Sequence, residues 1–412
     1  TDSQRALVLK TEYGGMNEAL YNLYAITGNP RDKQNAEYFN EAMYLDNWAK
    51  GIDNLNMKHG NTTIPKAVGY IRGYQLTGDE KLLKAAVNFW DMTAGSGNRI
   101  FATGALSERE TLGIANYTSK MIYDSPGETC KSYNMLKLTQ YLYETTGEMK
   151  YVDYIERVLL NALMGSIDEQ GCKTYYQWLD TDAHKLFHTE FTTFWCCMGT
   201  GIETFSKVPE ACWYTDGDSS LRLNVFISST YSSDALGITL ANDEEKNTLT
   251  IQHAPTSEYT LKLRVPYWSG DVTVKINGES QATSAENGYI VLKRIWQSGD
   301  VIEYVTPYQG YTESTPDNAD LFAVKYGPYV LAAVGKRYEA GNQLAGSFES
   351  GYLADLTNAI TRTADGYVLT TPDFEVPMQK YGEIIEEYYT VYFKRIDAFA
   401  DGALSPDPAM RA

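Results

Sequence analysis

Long apolar runs and basic clusters are both absent from this sequence of 412 residues. No stretch of about 18 consecutive apolar residues occurs, which excludes the usual pattern of a membrane-spanning helix. The 35 Lys and Arg residues are outnumbered by 53 Asp and Glu residues, so the formal net charge is −18. Because such a surface repels nucleic acid and anionic membranes, we expect a globular protein with neither as a partner and with a neutral substrate.

Cysteine is also scarce, and five in a chain of this length are too few for a disulfide framework. They are Cys130, Cys172, Cys196, Cys197 and Cys212. No secretory signal opens the sequence, and the compartment stays open between the cytoplasm and export. Tyrosine, in contrast, is abundant, with 33 residues against 13 Phe and 7 Trp. Its flat apolar face and hydroxyl suit ligands such as sugars.

The first 165 residues repeat one pattern, an amphipathic run that ends in Thr-Gly and is followed by a second amphipathic run. Gly28, Gly78 and Gly147 occupy these stops, where a left-handed residue typically ends a helix. Each stop therefore predicts a helix hairpin, and three hairpins in series favour a helical toroid or solenoid. Ordinary packing of unrelated helices is the alternative interpretation.

From about Leu221 the apolar residues alternate with a period of two, which predicts short strands. Asn277-Gly278 after one such run is a hairpin turn signal. We therefore predict a multidomain protein, helical and then β. The helical domain would span residues 1–216, a β-sandwich residues 217–336, and a further β and loop segment residues 337–412, packed on the sandwich or on the helical domain.

One carboxylate and three cysteines form the densest cluster of reactive residues. Glu128 and Cys130 lie in one segment, and Cys196 and Cys197 lie in another. Three thiolates and a carboxylate are the four ligands that suit tetrahedral Zn²⁺. Because adjacent cysteines cannot both ligate from a regular helix without strain, we place the pair on an irregular loop. The alternatives are a closed structural zinc site and simple burial of small apolar thiols.

Several motifs resemble those of the zinc-dependent β-L-arabinofuranosidase family of glycoside hydrolases. The motif at 194–203 reads FWCCMGTGIE, close to that of one branch, and segments 12–17, 59–66, 128–130 and 154–161 follow in compatible order. The resemblance extends from about residue 10 to at least residue 335. It implies an (α/α)6 barrel followed by β-sandwich domains, of which this chain would hold only the later part of the barrel.

The resemblance also implies a retaining glycosidase that removes β-L-arabinofuranosyl, or closely related, residues from plant-type glycans. In it, Cys196 is the nucleophile and Glu110, rather than Glu108, is the acid/base. Zinc is held by Glu128, Cys130, Cys196 and Cys197. The sugar is contacted by His59, Asn61, Glu156 and Tyr176.

Thr63 stands where the family usually has a second histidine. A non-catalytic, zinc-stabilised carbohydrate-binding protein with an incomplete barrel is the alternative function. Another sugar enzyme on a helical toroid, an epimerase or a lyase, would not depend on Cys196. The sequence does not determine the oligomeric state.

Overall fold

The computed structural model describes residues 2–10, 12–123, 126–335, 347–372 and 374–397. Helices dominate the first half of the chain and strands the second. The α-helices are α1 (Asp2–Val8), α2 (Met16–Thr27), α3 (Pro30–Tyr38), α4 (Ala42–Ala49), α5 (Gly60–Thr77), α6 (Glu80–Trp90), α7 (Thr118–Met121), α8 (Thr129–Thr146), α9 (Met149–Arg157), α10 (Cys196–Cys212) and α11 (Leu356–Ala359). Two π-helical segments, Asp91–Gly95 and Val158–Leu163, extend α6 and α9, and 3₁₀ turns lie at Met164–Ser166, Ser350–Leu353 and Tyr381–Glu383.

Three helix hairpins are built on left-handed glycine stops, as predicted. Gly28, Gly78 and Gly147 end α2, α5 and α8 with φ values of 65°, 72° and 70°. In each case the glycine N–H donates to the carbonyl four residues earlier, and the next helix begins two residues later. A residue with a Cβ would be strained in this conformation by about 1 kcal/mol or more, which explains why glycine stands at all three stops.

The sequence pattern predicts the buried face well in α9, the second helix of the third hairpin, and less well in α6, the second helix of the second hairpin. In α9 and its extension, Tyr151 and Ile155 are buried as their spacing predicts. In α6 the helical spacing of Leu83, Ala86, Val87 and Trp90 predicts the buried face; Ala86 and Trp90 are buried, but Leu83 and Val87 are half-buried and Leu82 is buried instead. The apolar stripe of α6 is wide, so its spacing alone does not determine which edge faces the core.

The helices pack in a row that does not close. Helix α2 packs on α3 and α5, α5 packs on α6 and α8, and α8 packs on α9 and α10. Within the described part of the chain these helices form an open part of a toroid, which confirms the predicted partial barrel. None of the described helices combines the length and the apolar character that crossing a membrane requires.

The strands form one two-stranded ladder and three larger sheets. The ladder pairs β1 (Gly127–Glu128) with β2 (Tyr176–Gln177). The five-stranded and six-stranded sheets use β3 (Trp213–Thr215), β4 (Ser220–Leu223), β5 (Ser229–Ser232), β6 (Gly237–Asp243), β7 (Lys246–His253), β8 (Tyr259–Arg264), β9 (Thr273–Ile276), β10 (Glu279–Ser280), β11 (Ala285–Glu286), β12 (Tyr289–Arg294) and β13 (Val301–Val305). The nine-stranded sheet uses β14 (Gly310–Thr315), β15 (Asn318–Tyr326), β16 (Tyr329–Val334), β17 (Ser347–Glu349), β18 (Ile360–Thr363), β19 (Gly366–Thr370), β20 (Glu375–Lys380), β21 (Tyr389–Thr390) and β22 (Tyr392–Ile396).

The five-stranded and six-stranded sheets form the predicted sandwich. Their orders are β11-β12-β8-β4-β3 and β10-β9-β13-β7-β6-β5, and alternate residues of both sheets share one apolar core. Leu261 and Leu263 of β8 belong to this core, as the period of two predicted. Asn277 and Gly278 both have positive φ, 51° and 84°, which is the turn geometry that an Asn-Gly hairpin favours.

The nine-stranded sheet has a different core on each face. Ala323 and Val330 point to the core that the helices share, whereas Phe322 and Leu331 point to a separate core on the far side. Strand β15 pairs with β22, and β16 pairs with β20 and β21, so the sheet joins strands from both sides of the boundary expected at 336/337. Of the predicted C-terminal segment, residues 337–346, 373 and 398–412 lie outside the described residues.

Candidate active site

Two helix starts converge on one point beside the short β1–β2 ladder. Glu128 ends β1 opposite Tyr176, and Cys130 is the second residue of α8. Cys196 and Cys197 are the first two residues of α10, with Trp195 as the N-cap. The prediction of an irregular loop for the cysteine pair is therefore wrong. In a first helical turn, neighbouring side chains leave the axis about 100° apart, and here one thiol points into the protein and the other towards solvent.

The four predicted ligand atoms lie within 4.8 Å of one another. Cys130 Sγ and Cys197 Sγ are 3.3 Å apart, and the sulfurs of Cys196 and Cys197 each lie 4.0 Å from Glu128 Oε1. Glu128, Cys130 and Cys197 are buried, whereas Cys196 is exposed. The cluster therefore presents a single thiol to any molecule that enters from solvent.

The electrostatics of this cluster favour the binding of a cation. Burial raises the pKa of Glu128 to about 7. The neighbouring Cys197 thiol and burial raise the pKa of Cys130 well above its ordinary value, and burial with the nearby Cys130 raises that of Cys196. Glu128 Oε2 is buried and has no hydrogen-bond partner among the residues that the structure describes. A bound metal cation would pair with that oxygen and reverse the local preference for protonated groups.

Sulfur and oxygen donors at these separations fit a tetrahedral site. In tetrahedral geometry, two sulfur atoms bound to one ion at about 2.3 Å lie about 3.8 Å apart, and a sulfur and an oxygen ligand lie about 3.6 Å apart. The Cys130–Cys197 sulfur separation of 3.3 Å and the distance of 4.0 Å from Cys196 Sγ to Glu128 Oε1 are each within about 0.5 Å of these values. Glu128, Cys130, Cys196 and Cys197 can therefore hold one divalent metal ion.

Glu110 is brought to the cluster through Tyr175. Its carboxylate accepts hydrogen bonds from Tyr175 Oη at 2.5 Å and from Tyr176 Oη at 3.3 Å. The same Tyr175 hydroxyl lies 3.7 Å from Cys196 Sγ. Of the two carboxylates considered in this segment, it is Glu110 that makes these bonds. Its side chain is 44% exposed, which leaves the carboxylate accessible to a ligand.

His59 and Asn61 also reach this site, in different ways. His59 Nε2 lies 3.9 Å from Glu110 Oε2, while its Nδ1 lies 2.9 Å from Thr62 Oγ1. Asn61 Nδ2 donates to Glu128 Oε1 at 2.6 Å, so the amide orients the metal-binding carboxylate. Thr63, at the position where the family usually has histidine, is a buried residue of α5 with 2% of its surface exposed.

The structure does not bring Glu156 together with these residues. Only 2% of its surface is exposed, and its carboxylate is paired with Arg264 Nη1 at 2.9 Å. It also accepts a hydrogen bond from Trp268 Nε1 at 2.7 Å. Both partners belong to the sandwich, so Glu156 joins the helices to the strands, and the sugar contact that the resemblance implied stays a prediction.

Three further residues at the site were missed in the sequence. Tyr175 bridges Glu110 and Cys196, Thr200 Oγ1 lies 3.1 Å from Cys130 Sγ, and Lys131 holds the segment before Glu110. Thr200 could have been found had the cysteine pair been placed on a helix, because it lies one turn after Cys196. For Tyr175, its position beside Tyr176 was the available signal.

Comparisons with known proteins agree with this architecture. A family model described as the catalytic domain of GH127 β-L-arabinofuranosidase matches residues 1–210, and one described as the GH127 middle domain matches residues 220–308. A search of curated proteins finds no significant match.

Several solved structures share the fold. A protein described as a glycoside hydrolase aligns with a TM-score of 0.72 and 17% identity, over 92% of this chain and 74% of that protein. The GH127 β-L-arabinofuranosidase of Geobacillus stearothermophilus T6 aligns with a TM-score of 0.68 and 18% identity, over 92% and 72%. A GH127 β-arabinofuranosidase aligns with a TM-score of 0.70 and 18% identity, over 92% and 68%.

Proposed function

The chain belongs to the GH127 β-L-arabinofuranosidase family of glycoside hydrolases, and we propose that it removes β-L-arabinofuranosyl, or closely related, residues from plant-type glycans with retention of configuration. One observation carries the proposal. An exposed thiol, Cys196, stands beside three buried metal-binding groups and one tyrosine away from a solvent-accessible carboxylate, Glu110. A nucleophile and an acid/base side by side are what a retaining glycosidase requires.

Zinc is the proposed cofactor, held by Glu128, Cys130, Cys196 and Cys197. Three soft thiolates with one carboxylate favour Zn²⁺ over Mg²⁺ or Ca²⁺. When bound, the ion supplies the positive charge that keeps the Cys196 sulfur a thiolate at neutral pH. The start of α10 adds to this effect, because the helix dipole also stabilises an anion at that end.

The proposed reaction proceeds in two displacements. Cys196 attacks the anomeric carbon, and the glycosidic bond breaks as Glu110 donates its proton to the leaving oxygen. Glu110, now a carboxylate, then takes a proton from water, which attacks the same carbon and releases the sugar from the sulfur. Two inversions at one carbon return the original configuration, and each step leaves Glu110 ready for the next.

The remaining residues are proposed to place the sugar. Tyr176 and His59 flank Glu110 and carry groups that can bond to sugar hydroxyls. Tyr175 orients the Glu110 carboxylate towards Cys196. Asn61 acts on the sugar only indirectly, because its side-chain amide donates a hydrogen bond to the Glu128 carboxylate. A net charge of −18 agrees with a neutral glycan.

Hydrolysis of 4-nitrophenyl β-L-arabinofuranoside by the purified, zinc-loaded protein tests the proposal. Cys196→Ser and Glu110→Gln should each lower kcat by about 10³-fold or more, since each removes a group that acts in both displacements. Cys212→Ser, at the buried far end of the same helix, is the matched control and should keep activity. Zinc analysis should find about one ion per wild-type chain.

Three results would count against the proposal. Normal activity of either Cys196→Ser or Glu110→Gln removes the assigned roles. Full activity after complete removal of metal removes the role of zinc. A zinc-loaded wild-type protein that binds the glycoside without hydrolysing it supports the non-catalytic alternative.

A further inference from the structure

Lys131 is a buried lysine that directly follows the metal-binding Cys130 in α8. Its side chain has no exposed surface. The Nζ atom donates to three backbone carbonyls, those of Ser107 at 2.8 Å, Glu108 at 3.1 Å and Thr111 at 2.7 Å. An ammonium has three N–H donors, so all of them are used by one short loop.

The loop that Lys131 binds is the one that carries Glu110. Its backbone is unusual, because Glu108 and Arg109 both adopt positive φ, 68° and 34°, which non-glycine residues rarely do. Three carbonyl oxygens that point to one buried position repel one another unless a donor stands between them. The ammonium of Lys131 supplies that donor and so favours this conformation of the loop.

Other contacts also hold this loop, since Tyr175 and Tyr176 bond to the Glu110 carboxylate and a backbone bridge pairs Arg109 with Gly127. Gly60 N donates to Glu110 O at 2.7 Å, and Leu112 N donates to Lys58 O at 2.7 Å. Lys58 lies just before α5 and Gly60 begins it, whereas Lys131 binds from the side of α8. Gly60 leaves room for the lysine, because a Cβ at that position would lie 2.4 Å from Lys131 Cδ.

We propose that Lys131 is a positioning residue that sets the distance between the Glu110 carboxylate and the Cys196 nucleophile. The inference rests on the proposed function. The first turn of α8 carries Cys130, one of the four residues that can hold the metal ion, and Lys131, which binds the Glu110 loop. One rigid element thereby holds both halves of the site, and loss of the lysine lets the acid/base move while the metal ligands stay in place.

Lys131→Met tests this role because methionine fills similar space and has no N–H donor. The readout is kcat/KM for two β-L-arabinofuranosides, one with a methyl and one with a 2,4-dinitrophenyl leaving group. Only the methyl glycoside needs a proton from Glu110 to leave. We expect kcat/KM to fall about 10²-fold for the methyl glycoside and less than about fivefold for the dinitrophenyl glycoside, with zinc content unchanged.

Lys185→Met is the matched control. Lys185 is also buried, and its Nζ donates to two carbonyls, those of Tyr381 at 2.9 Å and Ile384 at 2.5 Å. It binds the nine-stranded sheet region, so its loss should leave the ratio of the two kcat/KM values as in the wild type. Equal losses on both glycosides in Lys131→Met, no loss on either, or loss of zinc from that variant would overturn the positioning role.

Hydrogen exchange of residues 107–113 provides a readout that does not need activity. These amides should exchange at least about tenfold faster in Lys131→Met than in Lys185→Met, because the loop loses its inner contacts. If the wild type hydrolyses no glycoside, the proposed function fails, and the exchange rates still decide whether Lys131 holds the loop. If Lys131→Met does not fold, Lys131→Leu, which also lacks an N–H donor, takes its place, and equal exchange in that variant and the control overturns the proposal.

Discussion

Removal of the Glu156 carboxylate should destabilise the junction between the helices and the sandwich. Arg264 has no exposed surface and lies 2.9 Å from Glu156 Oε1 and 3.1 Å from Oε2, a two-pronged ion pair. Breaking such a pair by removing one partner costs about 3–5 kcal/mol, because the other charge stays buried. Asp153, 2.7 Å from Arg264 and 32% exposed, still pairs with the guanidinium in Glu156→Ala. We therefore expect a loss near the lower end, about 3 kcal/mol.

Urea unfolding of the wild type and three variants measures this loss. Glu156→Ala should show the largest fall in the free energy of unfolding. Glu156→Leu combined with Arg264→Met should lose less, because no unpaired charge remains in the junction. Glu258→Ala is the matched control: its pair with Lys293 is exposed on both sides, 57% and 62%, and should be worth less than about 1 kcal/mol.

Two substitutions of Glu156, to Ala and to Gln, decide between two roles for this residue. The resemblance implied a sugar contact, whereas the structure pairs the carboxylate with Arg264 and Trp268 of the sandwich. If the free energy of unfolding of Glu156→Ala lies within about 1 kcal/mol of the wild-type value, the buried pair with Arg264 does not stabilise the junction. If Glu156→Gln keeps wild-type stability and raises KM alone, the side chain binds the sugar and its placement at the junction is wrong.

Three shorter predictions follow from other contacts. Gly69→Ala should lower the free energy of unfolding, measured in urea, by at least about 1 kcal/mol, because the added Cβ would lie 2.1 Å from the Asn17 side chain. Gly199→Ala is the control: no atom lies near its added Cβ, so the free energy of unfolding should stay the same or rise by up to about 1 kcal/mol. Hydrogen bonds from Lys262 and Arg222 hold the pKa of Asp216 at about 2. The contribution of this carboxylate to the free energy of unfolding is present above about pH 4, is at most about 1 kcal/mol for a 38% exposed group, and is lost as the pH falls through about 2. Asp216→Asn should abolish that part of the pH dependence of unfolding. Tyr175→Phe should lower kcat by about 10-fold or more with KM little changed, whereas an unchanged kcat would exclude the orienting role.

Local signals made much of the fold predictable. A glycine after an amphipathic run depends only on its neighbours, and all three stops at Gly28, Gly78 and Gly147 are present. The period of two predicted the sandwich for the same reason. What the sequence did not reveal is how β14 to β16 join the last strands in one sheet, because that pairing depends on contacts far apart in the chain.

The site was predictable as a set of ligands and less so as a geometry. The resemblance identified Glu128 and the cysteines that the structure brings together. The sequence favoured an irregular loop for the cysteine pair, but Cys196 and Cys197 begin α10, and the start of that helix meets the start of α8 so that both thiols lie near Glu128. The role of Lys131 depends on where three loop carbonyls point, and no residue spacing encodes that direction.

The two-faced sheet at the end of the chain limits how this protein can be divided. Ala323 and Val330 complete the same apolar core as the helices, and Asn161 of the helical region bonds to Val330 N and Pro328 O. A chimera that takes its helices from this chain and its last sheet from a relative would pair two half-cores that were not selected together. Such exchanges should succeed only when the inward-facing residues of β15 and β16 travel with the helices, so the modular boundary follows a face of the sheet and not a point in the sequence.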